Sequence, residues 1–226
     1  MGTATLLPLM VIAIDGPAGA GKSTVARALA ERLRFTYLDS GAMYRSVALV
    51  TIRAGADPDD AAAVTALAEG LDLRLAPGRV AIGAEDVTAA IRTPEVSAVA
   101  SRISVHPGVR AAMVARQRAL VAAGAWVAEG RDIGTVVCPD SPLKIHLTAS
   151  EDERARRRSA ETGEDAAAVL AAQRDRDARD RGREHGALEL APDAVELDTT
   201  GLGVDGVVER IAAIAGERGL LDGTGS

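Results

Sequence analysis

Gly16-Pro17-Ala18-Gly19-Ala20-Gly21-Lys22-Ser23 decides the fold, because it fills every fixed position of the phosphate-binding pattern G-x-x-x-x-G-K-[ST] directly after the strand-forming run Met10-Val11-Ile12-Ala13-Ile14. The glycines let the main chain bend tightly and turn its N–H groups inward, giving a concave, partly positive surface the size of a phosphate chain. The helix that follows adds the positive end of its dipole. Lys22 can reach the outer phosphates as a mobile point charge, and the hydroxyl of Ser23 can ligate Mg2+, whose other ligands come from phosphate oxygens and water. Lys22 is one of two lysines in the chain, the other being Lys144. A sequence that otherwise uses Arg keeps Lys where a compact ammonium suits the geometry.

Working outward, Val25, Leu29, Ala30 and Leu33 recur at helical spacing, so residues 22–34 are expected to form an amphipathic helix with Arg27 and Glu31 in water. Phe35-Thr36-Tyr37-Leu38 then reads as a second strand. Strand, helix and strand make a right-handed βαβ unit with the phosphate loop at its carboxyl edge. Asp39-Ser40-Gly41-Ala42-Met43-Tyr44-Arg45 follows at the end of that second strand and opens another helix, with Tyr44 and Arg45 in its first turn. In an open α/β sheet the strand ends around the crevice bind ligands. The alternative is a helix N-cap by Asp39 or Ser40 with an incidental arginine.

The bulk numbers bound the rest. A chain of 226 residues is one large or two small domains, and with 2% aromatic residues its core must be packed by Ala, Val, Leu and Ile. A formal charge of −6 argues against a broad nucleic-acid or membrane-binding surface. One cysteine, Cys138, excludes an internal disulfide. The stretch from Met1 to Ile14 has no basic residue and contains Pro8, so it does not read as a signal peptide, and no apolar run reaches membrane-spanning length. A cytoplasmic protein is expected.

From Leu71 the pattern changes. Leu71, Leu73 and Leu75 alternate with polar residues, Pro77-Gly78 makes a turn, Val80 and Ile82 alternate again, and Gly83-Ala84 precedes Glu85-Asp86-Val87. This is a small antiparallel meander outside the main sheet, read as a substrate-side insert. Helices are expected over 94–104 and 107–123, each with Pro at its start. Ala125-Trp126-Val127-Ala128 is strand-like, with Trp126 read as core, and it ends in Glu129-Gly130-Arg131-Asp132-Ile133-Gly134-Thr135, an Arg-Asp pair at the sheet's ligand edge. Leu143-Lys144-Ile145-His146-Leu147 is a further strand with a structural histidine.

Residues 151–183 carry nine Arg and nine Asp or Glu, a near balance that fits paired helices with mutually screened charges better than a nucleic-acid patch. Arg154, Arg156, Arg157 and Arg158 lie on the first helix, Arg176, Arg179, Asp180, Arg181 and Arg183 end the second, and Thr162-Gly163 turns between them. Phosphoryl transfer spreads charge over equatorial oxygens and must exclude water, and mobile arginines in a lid answer both needs. A last strand, Ala194–Asp198, and a covering helix, Val204–Ala215, complete the chain; the tail from Asp222 is expected to fray.

Together these motifs resemble the bacterial cytidylate kinases, a family of nucleoside monophosphate kinases. The resemblance rests on Ile14-Asp15-Gly16-Pro17, on Leu38 to Arg45, on Ile91-Arg92-Thr93, on Glu129 to Val137 and on the Arg-Asp-rich lid, and it runs from Met10 to Ala215. It implies an α/β, three-layer P-loop fold with a central parallel sheet, a small antiparallel substrate-binding insert and a helical lid. The implied boundaries are 9–70, 105–150 and 186–220 for the core, 71–104 for the insert and 151–185 for the lid. The implied reaction moves the γ-phosphoryl of ATP, with Mg2+, to CMP or dCMP.

Carried over by residue, Gly16, Pro17, Ala18, Gly19, Ala20, Gly21, Lys22, Ser23 and Thr24 bind ATP, with Ser23 on the metal. Ser40, Arg45, Arg131 and Arg183 hold the acceptor phosphate, and Tyr44 belongs to the same set. Ser101, Arg110 and Asp132 read the cytosine, Arg176 and Asp180 reach the ribose, and Arg157 approaches ATP from the lid. Lys22, Arg131, Asp132 and Arg157 are the catalytic set. A monomer is expected, with ATP and CMP or dCMP as its only partners and neither nucleic acid nor membrane. Cys138, Ser141 and Ala187-Leu188 depart from the family's pattern. Another P-loop kinase, acting on a different monophosphate, shikimate or a sugar acid, is the nearest rival. A GTPase-like switch needs an Asn-Lys-x-Asp guanine reader, and the chain contains no asparagine.

Overall fold

In a computed structural model, residues 10–221 are described; the expectations for the stretch before Met10 and for the tail from Asp222 lie outside the described residues. Contacts divide the chain into two compact units. The first runs to Leu38, then takes Leu120–Gly182 and the chain from Gly186; the second holds Asp39–Ala119 and Arg183–His185.

The first unit is built on a five-stranded sheet. Its strands are β1 (Met10–Asp15), β2 (Thr36–Asp39), β6 (Ala125–Gly130), β7 (Leu143–Thr148) and β8 (Val195–Asp198), in the order β2-β6-β1-β7-β8. β1 pairs in parallel with β6 and with β7, and β7 in parallel with β8. Two helices, α1 (Lys22–Leu33) and α8 (Val204–Glu217), bring Val25, Ala26, Leu29 and Ala30, and Val207, Val208, Ile211 and Ala212, against Ile12, Ile14, Val127, Ile145, Leu147 and Leu197. Strand alternation selects those residues, since every second side chain faces the helices. Each large aliphatic side chain fully buried there contributes roughly 1.5–3 kcal/mol, which lets a chain with so few aromatics hold a core.

The same alternation corrects one expectation. Trp126, read as core, stands opposite Val11 on the other face of the sheet, only partly buried, with its indole N–H donating to the Ala123 carbonyl at 2.8 Å. Its neighbour Val127 takes the inward place. Ser141 has both a place and a purpose: its buried hydroxyl lies 2.6 Å from the Val11 carbonyl and 2.9 Å from that of Leu143.

With β1 in the middle, the strand order reverses direction around it, and ligands in such sheets bind beyond the carboxyl ends at that switch. The glycine-rich loop follows β1, and Arg131-Asp132 follows its neighbour β6. The last part of this unit is the helix pair α6 (Glu151–Thr162) and α7 (Ala166–Arg181), joined at Gly163, whose φ of 74° ends α6 in a left-handed turn. α7 stops at Arg181, so Arg183, expected at its end, lies beyond the helix in a segment that belongs to the second unit.

The second unit contains α2 (Ser40–Arg53), α3 (Ala61–Glu69), α4 (Pro94–Ile103), α5 (Pro107–Leu120) and the three-stranded antiparallel sheet β3 (Leu73–Ala76), β4 (Arg79–Ile82) and β5 (Glu85–Asp86). This meander is separate from the parallel sheet, as its alternation from Leu71 anticipates. α2 packs on α3 and α4. Its buried Ser46 and Thr51 hydroxyls donate back to the Ala42 and Val47 carbonyls, at 2.9 Å each, so neither hydroxyl is buried without a bond. α3 had no counterpart in the sequence reading, although Asp60 caps it by accepting from the N–H groups of Ala62 and Ala63.

Candidate active site

Gly16 has to be glycine: its φ is 150°, and a Cβ there would lie 2.1 Å from the Leu147 carbonyl oxygen of β7. This close approach ties the start of the loop to the sheet. Lys22 opens α1, is 6% exposed, and donates from Nζ to the Pro17 carbonyl at 2.7 Å. Burial, and then the charges of Arg131 and Arg176, lower its pKa to about 7, against the opposing pull of Glu129 and Asp180. The loop therefore presents a lysine that a phosphate chain can charge fully. Ser23 and Thr24 are exposed at the start of α1.

The tip of the loop is gripped by the two helices read as a lid. Arg154 of α6 donates from Nη1 to the Ala18 carbonyl at 2.8 Å and to Asp177 at 2.7 Å; Asp177 of α7 accepts the Ala18 N–H at 3.2 Å. Both side chains are almost wholly buried, at 4% and 2% exposed. Gln173 of α7 donates to the Arg154 carbonyl at 3.3 Å, and its amide nitrogen would be 2.7 Å from a Cβ placed on Gly19. Ala18 is thus held through both its N–H and its C=O, which fixes the two successive peptides that flank it. Sequence reasoning counted Arg154 among charges awaiting a ligand and gave Asp177 no role. No local signal separates it, since buried Ala155 adjoins the exposed Arg156 as closely as it adjoins Arg154.

Arg157, one helical turn further along α6, is held differently. Its Nε donates to Glu153 at 2.8 Å, its Nη1 to the Thr199 hydroxyl at 3.0 Å and its Nη2 to the Thr199 carbonyl at 2.7 Å. Nη1 also lies 3.6 Å from where a Cβ on Gly21 would be, so the guanidinium stands beside the phosphate loop. Glu153 is pushed down to about 2 by Arg156 and Arg157. Thr199 is buried, and its hydroxyl also lies 2.9 Å from the Thr148 carbonyl and 3.4 Å from that of Ala20.

Arg131 leaves the end of β6 with Nε donating to Asp180 of α7 at 2.8 Å and Nη1 to the Gly130 carbonyl at 3.3 Å. Burial opposes its charge, but Asp180, with Asp177 and Glu129 behind it, more than offsets this and raises its pKa. Asp180 is 1% exposed. Asp132 is buried, and it opens a single π-helical turn, Ile133–Val137. Glu129 accepts the Tyr37 hydroxyl at 2.7 Å. Arg176 lies on α7, close enough to influence Lys22. The first unit therefore brings together the phosphate loop, Arg131, Asp132, Arg157, Arg176 and Asp180.

Six expected residues lie in the second unit. Ser40, Tyr44 and Arg45 are on the first turns of α2, capped by Asp39, which accepts the Ala42 N–H at 2.7 Å and Arg45 Nη2 at 2.9 Å. Asp39 is thus the N-cap that the alternative names, and the same carboxylate also holds Arg45. Ser101 of α4 and Arg110 of α5 are buried. Arg183 donates to the Ser104 hydroxyl at 2.9 Å, which donates in turn to the Ser101 carbonyl at 2.9 Å, so Arg183 and Ser101 meet at the end of α4.

As for a metal, no group of three or more His, Cys, Asp or Glu side chains among the described residues is arranged to hold one. The exposed Ser23 hydroxyl is the donor expected where phosphate oxygens and water complete the shell, and that donor set suits Mg2+, which keeps several waters.

A family model described as cytidylate kinase matches residues 12–217 of the chain. A cytidylate kinase of Solibacter usitatus (strain Ellin6076) is 52% identical over 216 residues, covering 92% of this chain and 93% of that protein. One of Geobacter sulfurreducens is 44% identical over 218 residues, covering 92% and 94%. Among solved structures, a gluconokinase from Sinorhizobium meliloti 1021 resembles the chain with a TM-score of 0.50 at 16% identity, covering 96% of this chain and 98% of that one, a likeness of fold alone.

Proposed function

The chain belongs to the cytidylate kinase family, and from that premise we propose that it transfers the γ-phosphoryl of ATP to CMP or dCMP, giving CDP or dCDP and ADP. The observation that carries this reading is identity of about half, over nearly the full length, to a protein named for that activity. The Arg131-Asp132 pair after the strand next to the phosphate loop supports it.

Little covalent chemistry is left to a protein that moves a phosphoryl group between two phosphates, so positioning and charge account for the rate. The main-chain N–H groups of residues 16–24 hold the ATP phosphates. Lys22, charged by them, follows the negative charge that moves onto the leaving oxygens. Arg157, already fixed by Glu153 and Thr199 beside Gly21, meets the same phosphates from α6. Ser23 would hold Mg2+, which offsets phosphate charge when bound. On the acceptor, Ser40, Tyr44, Arg45, Arg131 and Arg183 take the phosphate; Ser101, Arg110 and Asp132 take the base; Arg176 and Asp180 take the ribose. Several guanidinium groups offset the acceptor's charge enough for it to approach ATP in line. No general base is required, because the attacking oxygen is already ionised. Asp132 is an acceptor suited to the exocyclic amine of cytosine, which uracil lacks.

No helix of the described residues is long and apolar enough to cross a membrane, and a cytoplasmic monomer is the setting proposed. A coupled assay of ADP release against a panel of acceptors tests the reading. CMP and dCMP are expected to lead, and AMP or UMP outrunning CMP by more than about tenfold overturns it.

A further inference from the structure

Asp15 is the last residue of β1, directly before Gly16, and none of the roles above uses it. It lies opposite Gly130 of β6 and His146 of β7, while its neighbours Ile12 and Ile14 belong to the apolar cluster. Its carboxylate is 6% exposed and divides its two oxygens between successive peptides: Oδ1 accepts the Ile133 N–H at 2.9 Å and Oδ2 the Gly134 N–H at 2.7 Å. These two peptides come immediately after Arg131 and Asp132 and start the π-helical turn. Glycine at 134 leaves room for the Lys144 side chain, since a Cβ there would lie 3.1 Å from Lys144 Cδ, while Asp15 Oδ2 would be at an ordinary contact distance of 3.4 Å. A buried carboxylate is a costly way to fill space; its use here is that it alone accepts two N–H groups in a fork.

We propose that Asp15 is a positioning residue for the acceptor: by holding the Ile133 and Gly134 peptides it sets the direction in which Arg131 and Asp132 leave the end of β6. The inference rests on the reading of those two residues as CMP ligands. The loop that holds ATP has its own restraints, the Arg154–Asp177 grip on Ala18 and the bond from Lys22 to Pro17, so the effect of Asp15 falls on the acceptor. Around it stand Lys22 at the start of α1, Asp132 in the same turn, His146 across on β7 and the Lys144 side chain beside Gly134. Burial is the largest influence and raises its pKa to about 6 despite the two N–H bonds. It is ionised at neutral pH, and its protonation on acidification takes away one of the two acceptors.

The test is Asp15→Asn, which keeps the shape but turns an amide N–H toward one of the two peptides. With CMP as the varied substrate, KM is expected to rise about tenfold or more and the preference for CMP over UMP to narrow, while KM for ATP stays within about threefold. The acid limb that CMP's own phosphate gives to kcat/KM stays in both proteins, and the additional limb near pH 6 in wild type disappears in the variant. Backbone amide exchange at Ile133 and Gly134 is expected to quicken. An unchanged KM for CMP and unchanged base preference, or equal rises in both KM values with a lowered Tm, overturns the inference while leaving the kinase reading in place. A wild-type protein that turns over no CMP overturns the kinase reading and the inference with it.

Discussion

If Lys22 is as poorly protonated before nucleotide binds as its surroundings require, ATP binding must take up a proton. The perturbation is pH alone. Burial, with Arg131 and Arg176 adding repulsion, brings the lysine to about 7 in the protein without nucleotide; the negative charge of the ATP phosphates favours the ammonium and is expected to return it toward its ordinary value of 10.5. At pH 8 about nine-tenths of the free protein then carries neutral Lys22, so about 0.9 proton is taken up per nucleotide bound, against about half a proton at pH 7. The affinity follows the protonated fraction and falls about 50-fold between pH 7 and pH 9, close to 2.3 kcal/mol. Titration calorimetry of the Mg2+–ATP complex in two buffers of different ionisation enthalpy reads the uptake directly, and Lys22→Arg, whose charge does not titrate, should show none. Stability gives the sign independently. A lysine with a lowered folded pKa binds fewer protons than the unfolded chain between about pH 7 and its ordinary 10.5, so the protein without nucleotide should gain stability as pH rises through that window. Uptake near zero at pH 8, with affinity flat from pH 7 to 9, would refute the reasoning. It would mean that Glu129 and Asp180 already hold the lysine charged.

Removing one half of the buried pair on the loop, by Asp177→Asn, leaves Arg154 buried with a weaker partner and should cost up to about 3–5 kcal/mol, read as a fall in Tm of roughly 10 °C in thermal unfolding; a shift under about 2 °C would show that the pair does not anchor Ala18. Gly16→Ala places a Cβ against the Leu147 carbonyl and is expected to abolish folding, whereas Gly163→Ala, where nothing lies within 4 Å and only the left-handed backbone resists, should cost about 1–2 kcal/mol by denaturant unfolding. Comparable losses at both sites would contradict the close approach at Gly16. Asp132→Asn is expected to narrow the CMP to UMP ratio of kcat/KM, and an unchanged ratio would remove Asp132 from the cytosine readers.

The parts of the fold that could be read from the sequence are those in which local pattern and long-range packing agree. The glycine-rich loop, the helix after it and the alternation from Leu71 each announce themselves within a dozen residues, and the parallel sheet and the separate meander follow from them. The helix Ala61–Glu69 was missed because its apolar pattern is mostly alanine, with Val64 and Ala68 alone buried, so no strong periodicity marks it. Trp126 was misplaced because size suggests core while register decides the face, and register is not local. In the site, types and approximate positions were legible, but partners were not. A run with arginines at 154, 156, 157 and 158 states that charge is present; only packing tells that 154 is buried on Ala18, 157 is fixed by Thr199, and 156 stays in water with Glu153.

That sorting bears on how the charge balance of residues 151–183 works. A segment with equal numbers of arginines and acids can lie quiet without nucleotide, but if every arginine were fully engaged by a carboxylate, phosphate would have to displace acids from a nearly dry site, at a cost comparable to the gain. The Arg131–Asp180 pair avoids this. Asp180 takes Nε and the Gly130 carbonyl takes Nη1, and a guanidinium has five donors in a planar fork, so a phosphate can add along the other edge without expelling the carboxylate. Asp180, expected to reach the ribose, then has a prior effect as the group that aims Arg131, and the two roles make different demands. An Asp180→Asn variant retains an oxygen that can accept from Nε or a sugar hydroxyl, but loses the charge that keeps buried Arg131 favourable. If Asp180 aims Arg131, losing that carboxylate should weaken binding of CMP and of a bare phosphate mimic alike. A ribose contact alone should weaken CMP and leave the mimic untouched.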